Sequence, residues 1–172
     1  YGSAVAPWDV YLGNDCSGAV YWAWQRVCPS VEFGYTGDIV PTEENQKLYG
    51  VLPLGDYRAD TVLTDEVIRA NTPERIADCY TQLLLGDAIV MRDPGYGHIR
   101  LVARDPMVMR HEDGSIDLDA SYVPTHEHGV GKGSSGRLST WQLDCRYTFR
   151  DLLDTHYVPI TNRDLATGAA AP

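Results

Sequence analysis

A cysteine placed where a helix is predicted to begin is the first residue of this sequence that can act as a nucleophile. Cys16 follows Asp15, whose side-chain oxygen can accept a hydrogen bond from an unpaired backbone N–H at the helix start. A thiol at the positive end of a helix dipole ionises more readily, and the thiolate is the nucleophilic form. The alternative is that Cys16 is a buried thiol that only packs. The apolar residues after Cys16 recur at the spacing of one helix face: Val20, Ala23 or Trp24, and Val27.

A cysteine nucleophile needs a base, and the base needs a group that orients it. His98 is the preferred base, because it follows a glycine-rich turn and opens an apolar strand whose edge can face a cleft. The other interpretation of His98 is a half-exposed strand histidine without a chemical role. The remaining histidines lie in polar or turn-like surroundings and are weaker candidates: His111, His126, His128 and His156.

The group that orients His98 is expected on the strand that pairs with it. Asp113-Gly114 is a hairpin signal, so antiparallel pairing brings residues 125–128 back beside His98. Glu127 is the preferred orienting residue, because a carboxylate accepts the imidazole N–H and stabilises an imidazolium. The two flanking histidines are alternatives, and strand alternation points both of them to the face opposite Glu127. A polar strand end without a catalytic role is the remaining interpretation.

Three motifs follow one another along the chain: Asp15-Cys16-Ser17-Gly18 before an apolar helix, Leu85-Gly86-Asp87-Ala88-Ile89-Val90, and Gly97-His98-Ile99-Arg100-Leu101-Val102. In this order they resemble the motifs of the NlpC/P60 family of papain-like cysteine peptidases. The segment Trp8-Asp9-Val10-Tyr11-Leu12-Gly13 also resembles the lead-in of that family. The resemblance covers residues 8–27 and 85–103, and the stretches after the first helix and after His98 are long for the family.

The resemblance implies a papain-like α+β fold in which a helix bearing the cysteine packs on an antiparallel sheet bearing the histidine. It implies hydrolysis of peptide bonds in bacterial cell-wall peptidoglycan, commonly between D-glutamate and a diamino acid. By position, Cys16 is then the nucleophile, His98 the base, and a polar group on the next strand the orienting residue. The same carry-over makes Asp15 and Ser17 substrate-binding neighbours of the nucleophile, and it places Tyr11 in the cleft.

The expected reaction passes through a thioester acyl-enzyme and requires no cofactor. The helix dipole and a His98 imidazolium are expected to hold the Cys16 thiolate at neutral pH. The backbone N–H of Cys16 is a candidate oxyanion donor, and His98 then protonates the leaving amine and activates water. The carboxylates of Asp113, Asp117 and Asp119 lack the spacing of an EF-hand loop, so they are interpreted as a solvated turn and no metal is predicted.

Other functions use the same residues. An amidase that cuts between sugar and peptide has the same Cys–His pair. An acyltransferase or transpeptidase differs only in whether an amine or water accepts the acyl group. A binding module that kept the fold and lost the activity belongs to a different class, and the presence of both Cys16 and His98 argues against it.

Length and charge limit the range of partners. A chain of 172 residues suits one domain with its own core, and a net charge of −10 disfavours binding to nucleic acid or anionic membranes by bulk electrostatics. No apolar run is long enough to span a bilayer and no signal peptide is visible. The resemblance implies peptidoglycan stem peptides or related small peptides as partners and a location outside the cell or in the cell wall, and the protein is expected to be a monomer. The four cysteines form no C-x-x-C pair and are expected to be reduced.

Helices precede a run of strands that hairpin signals connect, which favours α+β with an antiparallel sheet. Residues 1–165 are predicted to form the catalytic domain and residues 166–172 a flexible tail. Residues 30–60 are predicted to be an irregular excursion that walls the cleft, and residues 129–139 a mobile loop. Helices are predicted at residues 15–27, at 63–70 with Thr64 as cap, and from Thr72-Pro73 onward, with one helical turn at 149–153. Strands are predicted at 88–91, 98–103 with an extension through 110, 121–127, 141–146 and 157–161.

Overall fold

An antiparallel sheet of six strands forms the centre of the structure, a computed structural model that describes residues 15–28, 30–129 and 141–168. The strands are β1 (Val51–Pro53), β2 (Ala88–Asp93), β3 (Tyr96–Val102), β4 (Tyr122–His128), β5 (Trp141–Thr148) and β6 (Val158–Asn162). They lie in the order β1-β6-β2-β3-β4-β5, and every neighbouring pair is antiparallel. The predicted α+β class with an antiparallel sheet is therefore confirmed.

Helices pack against this sheet and complete the core. They are α1 (Cys16–Gln25), α2 (Glu43–Tyr49), α3 (Thr64–Asn71), α4 (Pro73–Tyr80), α5 (Phe149–Asp154) and α6 (Arg163–Thr167). Helix α1 contacts β3 and β4, whereas α4 contacts α5 and β6. The largest fully buried side chains include Tyr80, Phe149, Ile76, Ile89 and Ile99, so the apolar residues of the sheet and of α4 and α5 share one core.

The hairpin of β2 and β3 is longer and tighter than the sequence predicts. Asp93 pairs with Tyr96, which leaves only Pro94-Gly95 as the turn. Gly95 has a φ of 83°, a conformation that glycine adopts without the steric cost of a side chain. The pairing continues to the turn and places His98 opposite Met91, inside the hairpin.

Strand β3 does not extend through Arg110 as predicted, because regular pairing ends at Val102. Pro106 follows shortly and has no N–H to donate to a ladder. Beyond it Met107 and Arg110 form only isolated bridges, and the predicted turn at Gly114 has a φ of 86°. Strand β4 returns beside β3 as predicted, and Leu101 pairs with His126.

The predicted irregular excursion over residues 30–60 contains α2 and β1, so that prediction is wrong in part. The hydroxyl of Thr42 accepts a hydrogen bond from the N–H of Asn45 at 3.3 Å, and Gly50 ends α2 with a φ of 67°. Both signals, a threonine cap and a glycine stop, are readable in the sequence.

The helix caps predicted for α3 and α4 have opposite outcomes. Leu63 is the N-cap of α3 and makes no side-chain cap bond, so the prediction that Thr64 caps this helix is wrong. The hydroxyl of Thr64 instead bonds with the backbone of Arg92. The predicted cap of α4 is confirmed, since Thr72 accepts from the N–H of Arg75 and Pro73 occupies the first turn.

The C-terminal segment is more ordered than predicted. Helix α6 runs to Thr167 and ends at Gly168, which has a φ of 66°, so a tail beginning at residue 166 is wrong at its start. The remainder of the predicted tail and nearly all of the predicted loop at 129–139 lie outside the described residues. Within the described ranges, no helix combines the length and the apolar character needed to cross a membrane.

Candidate active site

The start of α1 is capped as the sequence predicts. One side-chain oxygen of Asp15 accepts hydrogen bonds from the N–H of Gly18 and from the hydroxyl of Ser17, both at 2.8 Å. Ser17 is buried, with 3% of its surface exposed, and both residues border the same cleft as Cys16. Their contacts with each other hold the helix start around Cys16.

The Gly86-Asp87 segment holds the other end of α1. The indole N–H of Trp24 donates to the carbonyl of Gly86 at 2.7 Å, and Trp24 is buried. Asp87 accepts from the N–H of Leu84 at 2.8 Å, and burial raises the pKa of its carboxyl. This second motif therefore ties the helix to the start of β2 and places no charge in the cleft.

Cys16 lies against the backbone of β3. The N–H of Ile99, the residue after His98, donates a hydrogen bond to its sulfur. Burial raises the pKa of the thiol above its usual 9.0 and the charge of Asp15 adds to the rise, whereas the N–H groups of Ile99, Ser17 and Cys16 oppose it. The expected lowering of this pKa by the helix start is therefore wrong, because desolvation of the thiolate outweighs the nearby N–H groups.

His98 and Glu127 form a direct hydrogen bond. The Nε2 atom of His98 lies 2.8 Å from Oε2 of Glu127, and 7% and 9% of the two residues are exposed. Because Nε2 is hydrogen-bonded to the carboxylate, Nδ1 is the ring nitrogen that can exchange a proton with another group. The structure thus brings the predicted orienting residue against the predicted base.

The two histidines that flank Glu127 have other contacts. The Nδ1 atom of His126 accepts from the backbone N–H of Asp144 at 3.2 Å, and the ring of His128 packs edge-on against Trp141. Asp144 has a φ of 56° and lies where the pairing of β4 with β5 shifts register. Of the three neighbouring β4 residues at 126–128, Glu127 borders the cleft. Leu101 pairs with His126, so strand alternation places Glu127 on the same face of the sheet as Arg100 and His98.

Arg100 belongs to this cluster and was not identified from the sequence. Its guanidinium forms an ion pair with Oε2 of Glu127, the same oxygen that meets His98. The guanidinium also lies 3.8 Å from the ring centre of Tyr147 and 5.2 Å from that of Tyr157. The available signal was position, because residue 100 follows His98 by two along a strand and shares its face.

These contacts decide which groups are charged. Burial lowers the pKa of His98 below its usual 6.5, and the charge of Arg100 lowers it further against the opposing effect of Glu127. Burial alone would raise the pKa of Glu127, but hydrogen bonds from His98, Arg100 and Tyr147 and the charge of Arg100 lower it. The cluster is therefore a neutral imidazole beside a carboxylate, and the expected resting imidazolium is wrong.

Cys16, His98 and Glu127 border one open cleft of about 790 Å³. Residues 35–38 form part of its wall, as predicted for the excursion after α1. This wall approaches β3 closely at Gly97, where an added Cβ would lie 2.0 Å from the hydroxyl oxygen of Thr36. Glycine before His98 is thus required by the contact between the excursion and the hairpin.

The predicted solvated turn has its carboxylates engaged locally. Asp113 accepts from Ser115, Asp117 accepts from the N–H of Asp119 at 3.1 Å, and Asp119 pairs with Arg150. The described ranges contain no cluster of acidic, histidine and cysteine side chains that could hold a metal ion. Tyr11, the remaining predicted substrate-binding residue, lies outside those ranges.

The cysteines that do not border the cleft are also free thiols. Cys28 and Cys79 are buried, and Cys145 is half-buried. Burial raises the pKa of Cys79 to about 11. These thiols serve as internal references for the reactivity of Cys16.

Comparison of the chain with known proteins found no matching family model, no matching curated protein and no matching solved structure.

Proposed function

We propose that this protein is a cysteine hydrolase of the papain-like NlpC/P60 type that cleaves peptide bonds in peptidoglycan stem peptides. The observation that carries the proposal is one cleft that Cys16, His98 and Glu127 all border, in which the imidazole is hydrogen-bonded to the carboxylate. The thiol begins a helix, the imidazole is held by a buried carboxylate, and an N–H of the histidine strand reaches the sulfur. Nucleophile, base and orienting group are the parts that covalent acyl transfer needs.

The charges of the cluster favour attack from a neutral thiol. His98 removes the proton of Cys16 as the sulfur attacks the carbonyl carbon, so thiolate and imidazolium form together rather than in advance. Glu127 stabilises the imidazolium at that moment through its bond to Nε2. The backbone N–H of Cys16 is the proposed donor to the oxyanion of the tetrahedral intermediate.

The second half of the reaction reverses these roles. The imidazolium of His98 protonates the leaving amine, and the acyl group remains on Cys16 as a thioester. Neutral His98 then takes a proton from the water that attacks the thioester, the C–S bond breaks to release the acid, and the imidazolium returns the proton to the sulfur of Cys16. This chemistry requires no cofactor. Because peptidoglycan is the proposed substrate, the proposed location is outside the cell or in the cell wall.

The proposed scissile bond is the one between D-glutamate and a diamino acid. An amidase that cuts between sugar and peptide, or an acyltransferase that passes the acyl group to an amine, would use the same residues in the same order. An inactive binding module is a weaker candidate, because binding alone requires neither a thiol at the helix start nor a buried carboxylate on His98.

Mass spectrometry of purified muropeptides after incubation with the protein tests the proposal. We expect new products whose masses identify the cleaved bond, and we expect none with the Cys16→Ala variant. Adding an amine acceptor separates transfer from hydrolysis, since transfer yields an amide of the acyl fragment.

The matched control is Cys28→Ala, which removes a buried thiol far from the cleft and is expected to retain cleavage. Melting temperatures of both variants establish that each is folded. Cleavage that survives Cys16→Ala would overturn the assignment of the nucleophile.

A further inference from the structure

Arg92 lies on the wall of the cleft, on the strand that pairs with the strand of the proposed base. It is opposite Gly97 in the β2–β3 hairpin, which places it one pair along from His98. Its backbone N–H donates to the hydroxyl of Thr64 at 2.9 Å, and that hydroxyl is within 3.3 Å of its carbonyl oxygen. Thr64 is fully buried, so the backbone of Arg92 is held from both sides.

The side chain of Arg92 extends across the hairpin toward the excursion that follows α1. Its Cδ atom lies 3.2 Å from the position that a Cβ would take on Gly97. Its Nε atom lies 3.7 Å from the corresponding position on Gly37. The half-buried guanidinium is therefore presented to the cleft between two backbone segments.

The guanidinium of Arg92 has no ion pair, hydrogen bond or ring contact with another residue of the described ranges. This is unusual here, because the chain has 24 acidic and 14 basic residues. Among the described arginines only the exposed Arg26 shares this condition. The others donate to a carboxylate or carbonyl, or lie over an aromatic ring: Arg58, Arg69, Arg75, Arg100, Arg104, Arg110, Arg146, Arg150 and Arg163.

The other charged groups of the cleft restrict where a substrate anion can bind. Arg100 is paired with Glu127, and only 11% of its side chain is exposed, which limits its access to a ligand. Asp15 and Asp38 also border the cleft and repel a carboxylate placed near them. The side chain of Asp38 accepts from the N–H of Tyr35 at 2.9 Å.

We propose that Arg92 is the carboxylate-binding residue of the cleft and selects peptides with a free carboxylate beside the scissile bond. The inference rests on the proposed peptidase function and identifies the substrate class of that same site. A guanidinium binds a carboxylate through two parallel N–H groups, and partial burial strengthens the pair by reducing competition from water. Bound there, the carboxylate occupies the cleft that Cys16 and His98 also border, and the neighbouring peptide bond is held inside that cleft.

Two stem peptides that differ in one group test this selection. The first carries D-glutamate with a free α-carboxylate, and the second carries the same residue as its α-carboxamide. We expect the native protein to cleave the carboxylate peptide with a kcat/KM about thirtyfold higher. In Arg92→Gln we expect this ratio to fall close to one, through loss of activity on the carboxylate peptide alone.

Arg26→Gln is the matched control, because it removes the other unpaired guanidinium at an exposed position outside the cleft. It is expected to keep the full preference. Arg92→Lys retains the charge without the paired N–H groups and is expected to keep an intermediate preference. A preference that persists in Arg92→Gln, or an equal loss on both peptides, would overturn the proposal.

Binding to the inactive Cys16→Ala variant separates this inference from the proposed function. Calorimetry with the same two peptides is expected to give tighter binding of the carboxylate peptide, and this measurement needs neither turnover nor an Arg92 variant. If neither peptide is cleaved but the carboxylate peptide binds more tightly, the peptidase function fails and the subsite stands. Equal affinities for the two peptides would reject the subsite, whatever the activity.

Discussion

Two histidine–carboxylate pairs of the structure differ in almost every physical respect. In the cleft, His98 meets Glu127 at 2.8 Å, and the side chains are 9% and 11% exposed. At the surface, His156 lies 3.4 Å from Asp93, and the side chains are 40% and 38% exposed. The residue types are equivalent, so the difference comes from the surroundings.

The surroundings of the buried pair supply what the surface pair lacks. Arg100 pairs with the oxygen of Glu127 that faces His98. The sulfur of Cys16 lies against the backbone of Ile99, the residue after His98. The cavity beside His156 is lined by residues of α3 and α5 and contains no cysteine among its described lining residues. Burial beside a candidate nucleophile therefore makes the cleft pair, rather than the surface pair, the candidate for catalysis.

Replacing the two histidines should produce the largest contrast. His98→Ala removes the proposed general base, and we expect peptide cleavage to fall by about a thousandfold. His156→Ala removes a surface pair of similar chemistry, and we expect less than about a twofold change. Initial rates on a stem peptide, with melting temperatures as a check on folding, measure both. Equal losses in the two variants would contradict the assignment of the base.

Replacing the two carboxylates should give the next largest contrast. Glu127→Gln leaves Arg100 buried without its counterion and weakens the support of the imidazolium. We expect turnover to fall by about a hundredfold and the free energy of unfolding to fall by about 3 kcal/mol. Asp93→Asn breaks an exposed pair and should change the unfolding free energy by less than about 0.5 kcal/mol.

Kinetics and urea unfolding of the two carboxylate variants supply these values. The alternative orienting residue is tested by His126→Ala, which changes a side chain bonded to the N–H of Asp144. If His126→Ala lowers turnover and Glu127→Gln does not, the orienting residue has been misassigned.

The buried pair should also make the protein sensitive to acid. The folded pKa of His98 lies below 6.5 and that of Glu127 below 4.5, so the unfolded chain binds more protons as pH falls. The stabilisation is therefore present above these values and is lost progressively from about pH 6.5 downward. The rate of cleavage should decline through the folded pKa of His98, because the protonated ring cannot act as base.

A pH–rate profile and urea unfolding at several pH values measure these two effects. In His156→Ala the acid limb should be unchanged. A cleavage rate that stays constant down to pH 4 would show that His98 does not act as the base.

The smallest expected effect concerns Arg100, which we treat as a positioning residue. Its charge lowers the pKa of His98, so Arg100→Met should move the acid limb of the pH–rate profile upward by less than about one pH unit. Arg104→Met, which breaks an exposed pair with Asp144, is the matched control and should leave the profile in place. An unchanged acid limb in Arg100→Met would limit the role of Arg100 to packing.

Local patterns predicted much of the framework. The cap at Asp15, the start of α4 at Pro73, the hairpin signal at Gly114 and the return of β4 beside β3 were all readable from short stretches of sequence. They were readable because caps, turns and strand alternation depend on residues a few positions apart. The predictions that failed involved distant partners, such as Thr64, whose hydroxyl bonds with Arg92 across 28 positions instead of capping its helix.

The sequence by itself determined the candidates: a thiol at a helix start, a histidine on an apolar strand, and a carboxylate on the strand that pairs with it. Only the tertiary structure decided their charge states, because desolvation and the position of Arg100 depend on how the sheet, α1 and the excursion pack together. That packing raises the pKa of Cys16 and lowers that of His98, so the pair rests uncharged rather than as the expected ion pair. Packing also distinguishes Glu127 from its histidine neighbours and Arg92 from every paired arginine, since burial and pairing are properties of the folded chain.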